Sequence, residues 1–126
     1  MLKVSNNKIM INRGDIAVLT VTAQNEDDGT NYVFKVGDVV RLKVVENGDV
    51  ESVVLQKDVE VRFESTSVDI SLISEDTKIG DYINRPTKYW YEVELNPDTA
   101  PQTIIGYDDA GAKLFVLYPE GGMAND

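Results

Sequence analysis

Four stretches of this chain alternate apolar and polar residues with a period of two, and no other feature of the sequence narrows the fold as far. Over 39–46, Val40, Leu42 and Val44 alternate with Arg41 and Lys43. Over 58–64, Val59, Val61 and Phe63 alternate with Glu60, Arg62 and Glu64. Over 67–73, Val68, Ile70 and Leu72 alternate with Asp69 and Ser71, and over 88–95, Tyr89, Tyr91, Val93 and Leu95 alternate with Trp90, Glu92 and Glu94. Such strands present one face to a core and one to water, as antiparallel sheets do. Strands packed under crossover helices would be apolar on both faces. No window longer than about two turns carries helical spacing. The best helical segment is 74–79, where Ser74 is placed to cap a single turn that Gly80 ends.

The punctuation agrees with strands. Asn47-Gly48-Asp49 lies between two strand-like runs, and Asn-Gly suits a type I′ hairpin because both central residues need positive φ. Asp108-Asp109-Ala110-Gly111 suits a turn closed by a left-handed glycine, joining 102–107 to 112–118. Asn25-Glu26-Asp27-Asp28-Gly29-Thr30 and Lys35-Val36-Gly37-Asp38 are further turns, and the segment 96–101 carries two prolines after the Tyr-rich strand. Eight or so short strands spaced this way predict an all-β sandwich or barrel with at most one helical turn. Residues 1–120 are expected to form one domain, with 121–126 as a loose tail.

Composition removes chemistry. The 126 residues suit one domain, large enough to bury roughly two-thirds of the surface that the unfolded chain exposes. Cysteine is absent, so disulfides, thiolate metal sites and thiol catalysis are excluded. Histidine is absent too, which excludes a Ser-His-Asp arrangement and imidazole-ligated metal. With 22 acidic against 12 basic residues the formal charge is −10, which repels nucleic acid and anionic membranes. Met1-Leu2-Lys3-Val4-Ser5-Asn6-Asn7 has no apolar core of a signal peptide, and no stretch approaches the length of a membrane span. The chain is therefore expected to be made without a signal peptide, or with it removed.

The order of these pieces carries a resemblance. Asn12-Arg13-Gly14-Asp15 leads into a strand over 16–24, followed by the acidic turn Glu26-Asp27-Asp28-Gly29 and then Val36-Gly37-Asp38. After a strand rich in Val and Leu come Ser74-Glu75-Asp76-Thr77, Gly80-Asp81-Tyr82, the strand Tyr89-Trp90-Tyr91-Glu92-Val93 and a closing hairpin. This arrangement resembles the immunoglobulin-like N-terminal domain of phage baseplate upper proteins, and related small phage and prophage structural proteins, over about residues 8 to 119. Family members often continue into a receptor-binding or fibre region, whereas this sequence stops soon after the domain. The resemblance implies an antiparallel immunoglobulin-like β-sandwich of about 7–9 strands that assembles or attaches, with no catalytic residues and no cofactor. It also implies a place in the virion, as a baseplate, tail or head-fibre accessory module made in the bacterial cytoplasm. The partners it implies are other virion subunits, in a homo-oligomer.

Several residues invite a sharper reading. Arg13-Gly14-Asp15 matches an adhesion tripeptide, but also reads as a turn in which glycine supplies an unusual backbone angle and aspartate caps it. The acidic turns at 26–28 and 108–109 would hold Ca²⁺ only if both loops, or a second chain, converged, since neither has the spacing of a calcium loop. Trp90, Glu92 and Glu94 share one face of their strand and form the candidate interface or ligand-binding group. Alternate residues stand about 7 Å apart along a strand, so the two carboxylates have the separation of an inverting glycosidase pair. An aromatic beside acids also suits carbohydrate, while an exposed Trp on a strand marks a protein contact. No third group separates the two glutamates in acidity, and no Ser-x-x-Lys motif supplies a nucleophile. The chain is thus expected not to be an enzyme. It is expected to work by protein–protein assembly, with recognition of host-surface carbohydrate as the alternative, and without nucleic acid, metal or membrane insertion.

Overall fold

The computed structural model describes all residues except 1, 6, 7, 26, 81, 82, 108–110 and 121–126, and describes residues 2–5 and 50 by their backbone alone. The chain forms β1 (Leu2–Ser5), β2 (Lys8–Asn12), β3 (Ala17–Val21), β4 (Val39–Glu46), β5 (Asp49–Glu60) and β6 (Val68–Leu72). One turn of helix, α1 (Ser74–Thr77), precedes β7 (Thr87–Leu95), β8 (Gln102–Ile105) and β9 (Lys113–Tyr118). The protein is all-β, as the alternation predicts.

The strands fall into two sheets. The larger has the order β1-β2-β9-β7-β4-β5, with β8 paired to the C-terminal half of β7, and the smaller consists of β3 and β6. β4 and β7 sit at the centre in antiparallel register, with Leu42 opposite Val93 and Val44 opposite Tyr91. β4 returns into β5 through Asn47 and Gly48, but only Gly48 has positive φ, 83°, so the turn is not the type I′ that Asn-Gly predicts, which needs positive φ at both residues. One pair corrects the expectation of a wholly antiparallel arrangement: β2 runs parallel to β9, with Ile9 opposite Phe115 and Asn12 opposite Tyr118. Most of the fold lies between these two strands, so no short turn forces an antiparallel return.

Alternation sends one face of each sheet into a common core. Leu42, Val44, Val93, Phe115 and Ile11 from the large sheet meet Leu19, Val21, Ile70 and Leu72 from the small one. Each aliphatic side chain withdrawn from water in this way contributes roughly 1.5–3 kcal/mol. Phe34, fully buried, is held over the core by paired backbone bonds with Ser65 and meets the ring of Tyr32 edge-on.

Two local expectations need correction. The alternation over 58–64 predicts a strand there, but β5 ends at Glu60 because its partner β4 begins at Val39. Val61 still turns inward, exchanging backbone bonds with Gly37 and Asp38, while Phe63 is left 81% exposed. The helical turn forms, but Ser74 does not cap it. Ile73 occupies the cap position, and its N–H donates to the carboxylate of Asp76 at 2.8 Å. Gly80 follows with φ 67°. The turn 108–110 and the tail 121–126 lie outside the described residues, as do Glu26, Asp81 and Tyr82.

Candidate functional site

β7 places Trp90, Glu92 and Glu94 together on the outer face of the large sheet, opposite the core-facing Tyr91, Val93 and Leu95. Two of the three are engaged, Trp90 with Tyr107 and Glu92 with Lys43. Trp90 is half-buried, stands between Val45 and Leu114 in the sheet register, and lies 6.3 Å from the ring of Tyr107, tilted at 51°. Val45 and Val116 point to this outer side and are buried, whereas Tyr107 is 77% exposed, so the half-buried Trp90 links an apolar strip of the sheet to an exposed ring. Glu92 faces Lys43 across the β4–β7 ladder, with Nζ 3.4 Å from Oε1. Glu94 lies between Arg41 on one side and Thr103 on the other.

Arg41 organises the rest of this face. Its guanidinium is bidentate to Asp58 (2.8 and 2.9 Å) and to Asp98 (3.2 and 3.0 Å), joining β4 to β5 and to the turn after β7. These bonds hold the Asp58 carboxyl below the usual carboxylate range and push the guanidinium's pKa further up. Beyond Gly106 there is little room, since a side chain on that residue would meet Thr103 at 2.7 Å.

The other sequence candidates resolve into turns. Arg13 forms an ion pair with Glu120 and donates from Nη2 to the Gly80 carbonyl at 2.6 Å, so its guanidinium is committed within the protein. Gly14, at φ 89°, donates its N–H to the hydroxyl of Thr77 at 2.9 Å, and the Asp15 N–H donates to the Asn12 carbonyl at 3.1 Å. In the first acidic turn, Asp28 accepts the N–H and the hydroxyl of Thr30 at 2.9 and 2.6 Å, which lowers its carboxyl pKa. No group of three acidic residues gathers in a cation-holding arrangement among the described residues. Asp108 and Asp109 lie outside them.

Alternation does not reveal a concavity that lies on the other side of β7. A cleft of about 1380 Å³ separates β3 and the chain after it from β8, with Tyr91, Val93 and Leu95 of β7, Leu42 of β4 and Ile70 of β6 at its floor. Its cause is a mismatch of the two sheets. The six strands in line in the large sheet span roughly 24 Å, and a two-stranded sheet spans roughly 5 Å between strand axes. β6 lies against β5, so the cleft opens on the β3 side, above floor residues that are themselves 5% exposed or less. Within the described residues β3 pairs only with β6, and β8 only with β7, so each has an edge with no strand partner. A missing partner strand leaves no mark in a sequence, because alternation reports faces and not edges.

No helix among the described residues is long and apolar enough to cross a membrane. No protein-family model, no curated protein and no solved structure matches the chain.

Proposed function

We propose that this chain is an immunoglobulin-like structural module of a phage or prophage particle, a baseplate, tail or head-fibre accessory protein that acts by protein–protein assembly and not by turnover. The observation that carries the reading is strand order. In immunoglobulin-type sandwiches one sheet runs G-F-C, extended by C′ in variable-type domains, and the other contains the neighbours B and E. Here β9-β7-β4-β5 follows the first order and β3-β6 the second, with β2 alongside β9. That agrees with the domain type suggested by the sequence resemblance over residues 8 to 119. The sites also favour assembly over chemistry. Glu92 is paired with Lys43, and the pair of Glu92 and Glu94 has no third group beside it to set the two carboxylates apart, so the outer face of β7 is a contact surface rather than a catalytic one.

The test is mass spectrometry of particles purified from an induced culture of the organism that encodes the chain. The reading expects the chain at a fixed ratio to the tail or baseplate subunits. Its absence from the particles, with the protein present in the cells, would overturn the assignment. Glycan binding that Trp90→Ala abolishes would favour the carbohydrate-binding alternative.

A further inference from the structure

We infer that Asn47, in the turn between β4 and β5, is a site of spontaneous covalent modification that turns its side-chain amide into an acid. The step needs water alone, so it does not depend on what the chain assembles with. The Gly48 nitrogen attacks Cγ of Asn47, the carboxamide C–N bond breaks, and ammonia leaves with the proton from the Gly48 N–H. Water then opens the five-membered imide at either carbonyl. One opening gives aspartate, and the other gives isoaspartate, in which the chain continues through the side-chain carboxyl. Asparagine is among the thermolabile side chains. It reacts in this way where the next residue leaves its nitrogen open to attack, the carboxamide is free to turn, and water reaches both.

Asn47 meets all three conditions. It is the one asparagine of the sequence followed by glycine, which has no side chain to stand in the way. Asn47 and Gly48 are both exposed, and a Cβ added to Gly48 would meet nothing within 4 Å. Among the described residues, neither the Asn47 carboxamide nor the Gly48 N–H makes a hydrogen bond. Comparable positions are committed instead. Asp28 is also followed by a glycine, but its carboxylate accepts twice from Thr30, at 2.9 and 2.6 Å, and the Gly29 N–H donates to the Asn25 carbonyl at 2.8 Å. Asn12 and Asn25 donate from their carboxamides to the Pro119 carbonyl and the Thr30 hydroxyl. Asn96 is held by Val39 and Asp38, and it precedes Pro97, which has no N–H. The place of Asn47 gives the change its consequence. Either product adds a negative charge to a chain already at −10, beside Glu46 and Asp49. Isoaspartate also adds one backbone atom to a two-residue connection whose ends, Glu46 and Asp49, stand opposite each other. Loop length fixes the register of a hairpin, so the isoaspartate form should open its closed end, while the aspartate form keeps it.

The experiment is a timed incubation of the purified full chain at 37 °C, at pH 7 and at pH 9, with tryptic peptides followed by mass spectrometry. Peptide 44–57, bounded by Lys43 and Lys57, should gain the mass difference between an amide and an acid. It should split into an aspartate and an isoaspartate form, which electron-transfer fragmentation tells apart. The gain should be faster at pH 9, since the attacking nitrogen must give up its proton, and peptides carrying Asn12, Asn25 and Asn96 should lag behind. Asn47→Gln, an exposed substitution, should lose the conversion, because the longer side chain closes a less favourable ring. Amides at the closed end of the hairpin should exchange faster in the isoaspartate form than in Asn47→Asp. Equal exchange would show that the hairpin absorbs the extra atom, and would overturn its opening. An unchanged peptide 44–57, conversion at Asn25 as fast as at Asn47, or conversion only in urea would overturn the proposal. A mass gain that persists in Asn47→Gln would overturn it too, and would place the change at Gln56.

Discussion

At the scale of single residues, the fold depends on a few polar groups that join one strand's end to another's start. Asn96 is the clearest, and it is the non-glycine residue with positive φ, 49°, among those described. There its own N–H donates to the Val39 carbonyl at 2.7 Å, its Oδ1 accepts the Val39 N–H at 2.9 Å, and its Nδ2 donates to Asp38. Asn96→Ala keeps the strain of the left-handed conformation, roughly 1–2 kcal/mol, and removes two hydrogen bonds worth about 1 kcal/mol each. The expected loss is about 2–4 kcal/mol in urea unfolding, with Asn96→Gly less costly because glycine accepts that conformation freely. Equal losses in the two variants would show that the backbone angle is not what selects asparagine. Thr77 is the second case. It is fully buried, accepts from Gly14 N–H and donates to the Asp15 carbonyl at 2.8 Å. Thr77→Val keeps the shape and leaves both backbone groups without that partner, so the urea midpoint should fall by the equivalent of about 1–3 kcal/mol, while Thr77→Ser should stay close to the parent.

At the scale of elements, the two sheets differ in how firmly their strands are held. β4 is paired on both edges along nearly its whole length, and β7 is flanked by β4 on one side and by β9 and β8 on the other. Among the described residues β3 has one partner, five residues long, and its outer face is exposed. Local opening should therefore begin in the small sheet. Hydrogen exchange of the free protein should show β3 amides exchanging faster than those of β4 and β7, with Leu42 and Val93 among the slowest. Equal protection throughout would mean that the small sheet is held as firmly as the large one. The same contrast explains what could be read in the sequence. The alternation of β4, β6 and β7 was legible because each buries one face, and Gly48 was legible because a tight turn needs its positive φ. The end of β5 was not, since Phe63 continues the alternation but finds no partner strand opposite it. Nor was the parallel placement of β2, which depends on contacts far away along the chain. For the candidate site, the shared face of Trp90, Glu92 and Glu94 followed from parity. The groups that engage them, Tyr107 and Lys43, come from other strands and loops that parity does not specify.

At the scale of the whole molecule, the titrating groups set opposite limits on stability. On the acid side, burial alone would raise the Asp38 carboxyl, but donation from the Lys35 N–H, Asn96 and Tyr32 outweighs it and holds the group below its ordinary range. Asp58 is lowered by its bonds from Arg41. A carboxyl whose pKa is depressed on folding contributes stability that is present above its unfolded value, about 3.9, and is lost as pH falls through the folded value. On the alkaline side, burial pushes Tyr91 up to about 12, and Tyr32 and Tyr89 are raised mainly by the same cause. An unfolded tyrosine ionises near pH 10, so between about 10 and 12 the unfolded chain releases protons that the folded one keeps, and stability falls as pH rises. Urea midpoints measured from pH 2 to 11 should therefore trace a plateau between about pH 5 and 9 with a decline on each side. Tyr91→Phe removes the most strongly raised phenol and should flatten the alkaline decline while leaving the acid one in place. An alkaline slope unchanged in Tyr91→Phe would assign that limb to Tyr32 and Tyr89, or to the growing negative charge of a chain that starts at −10. The second of these is separated by salt, which screens net repulsion between exposed charges but does little for a phenol inside the core.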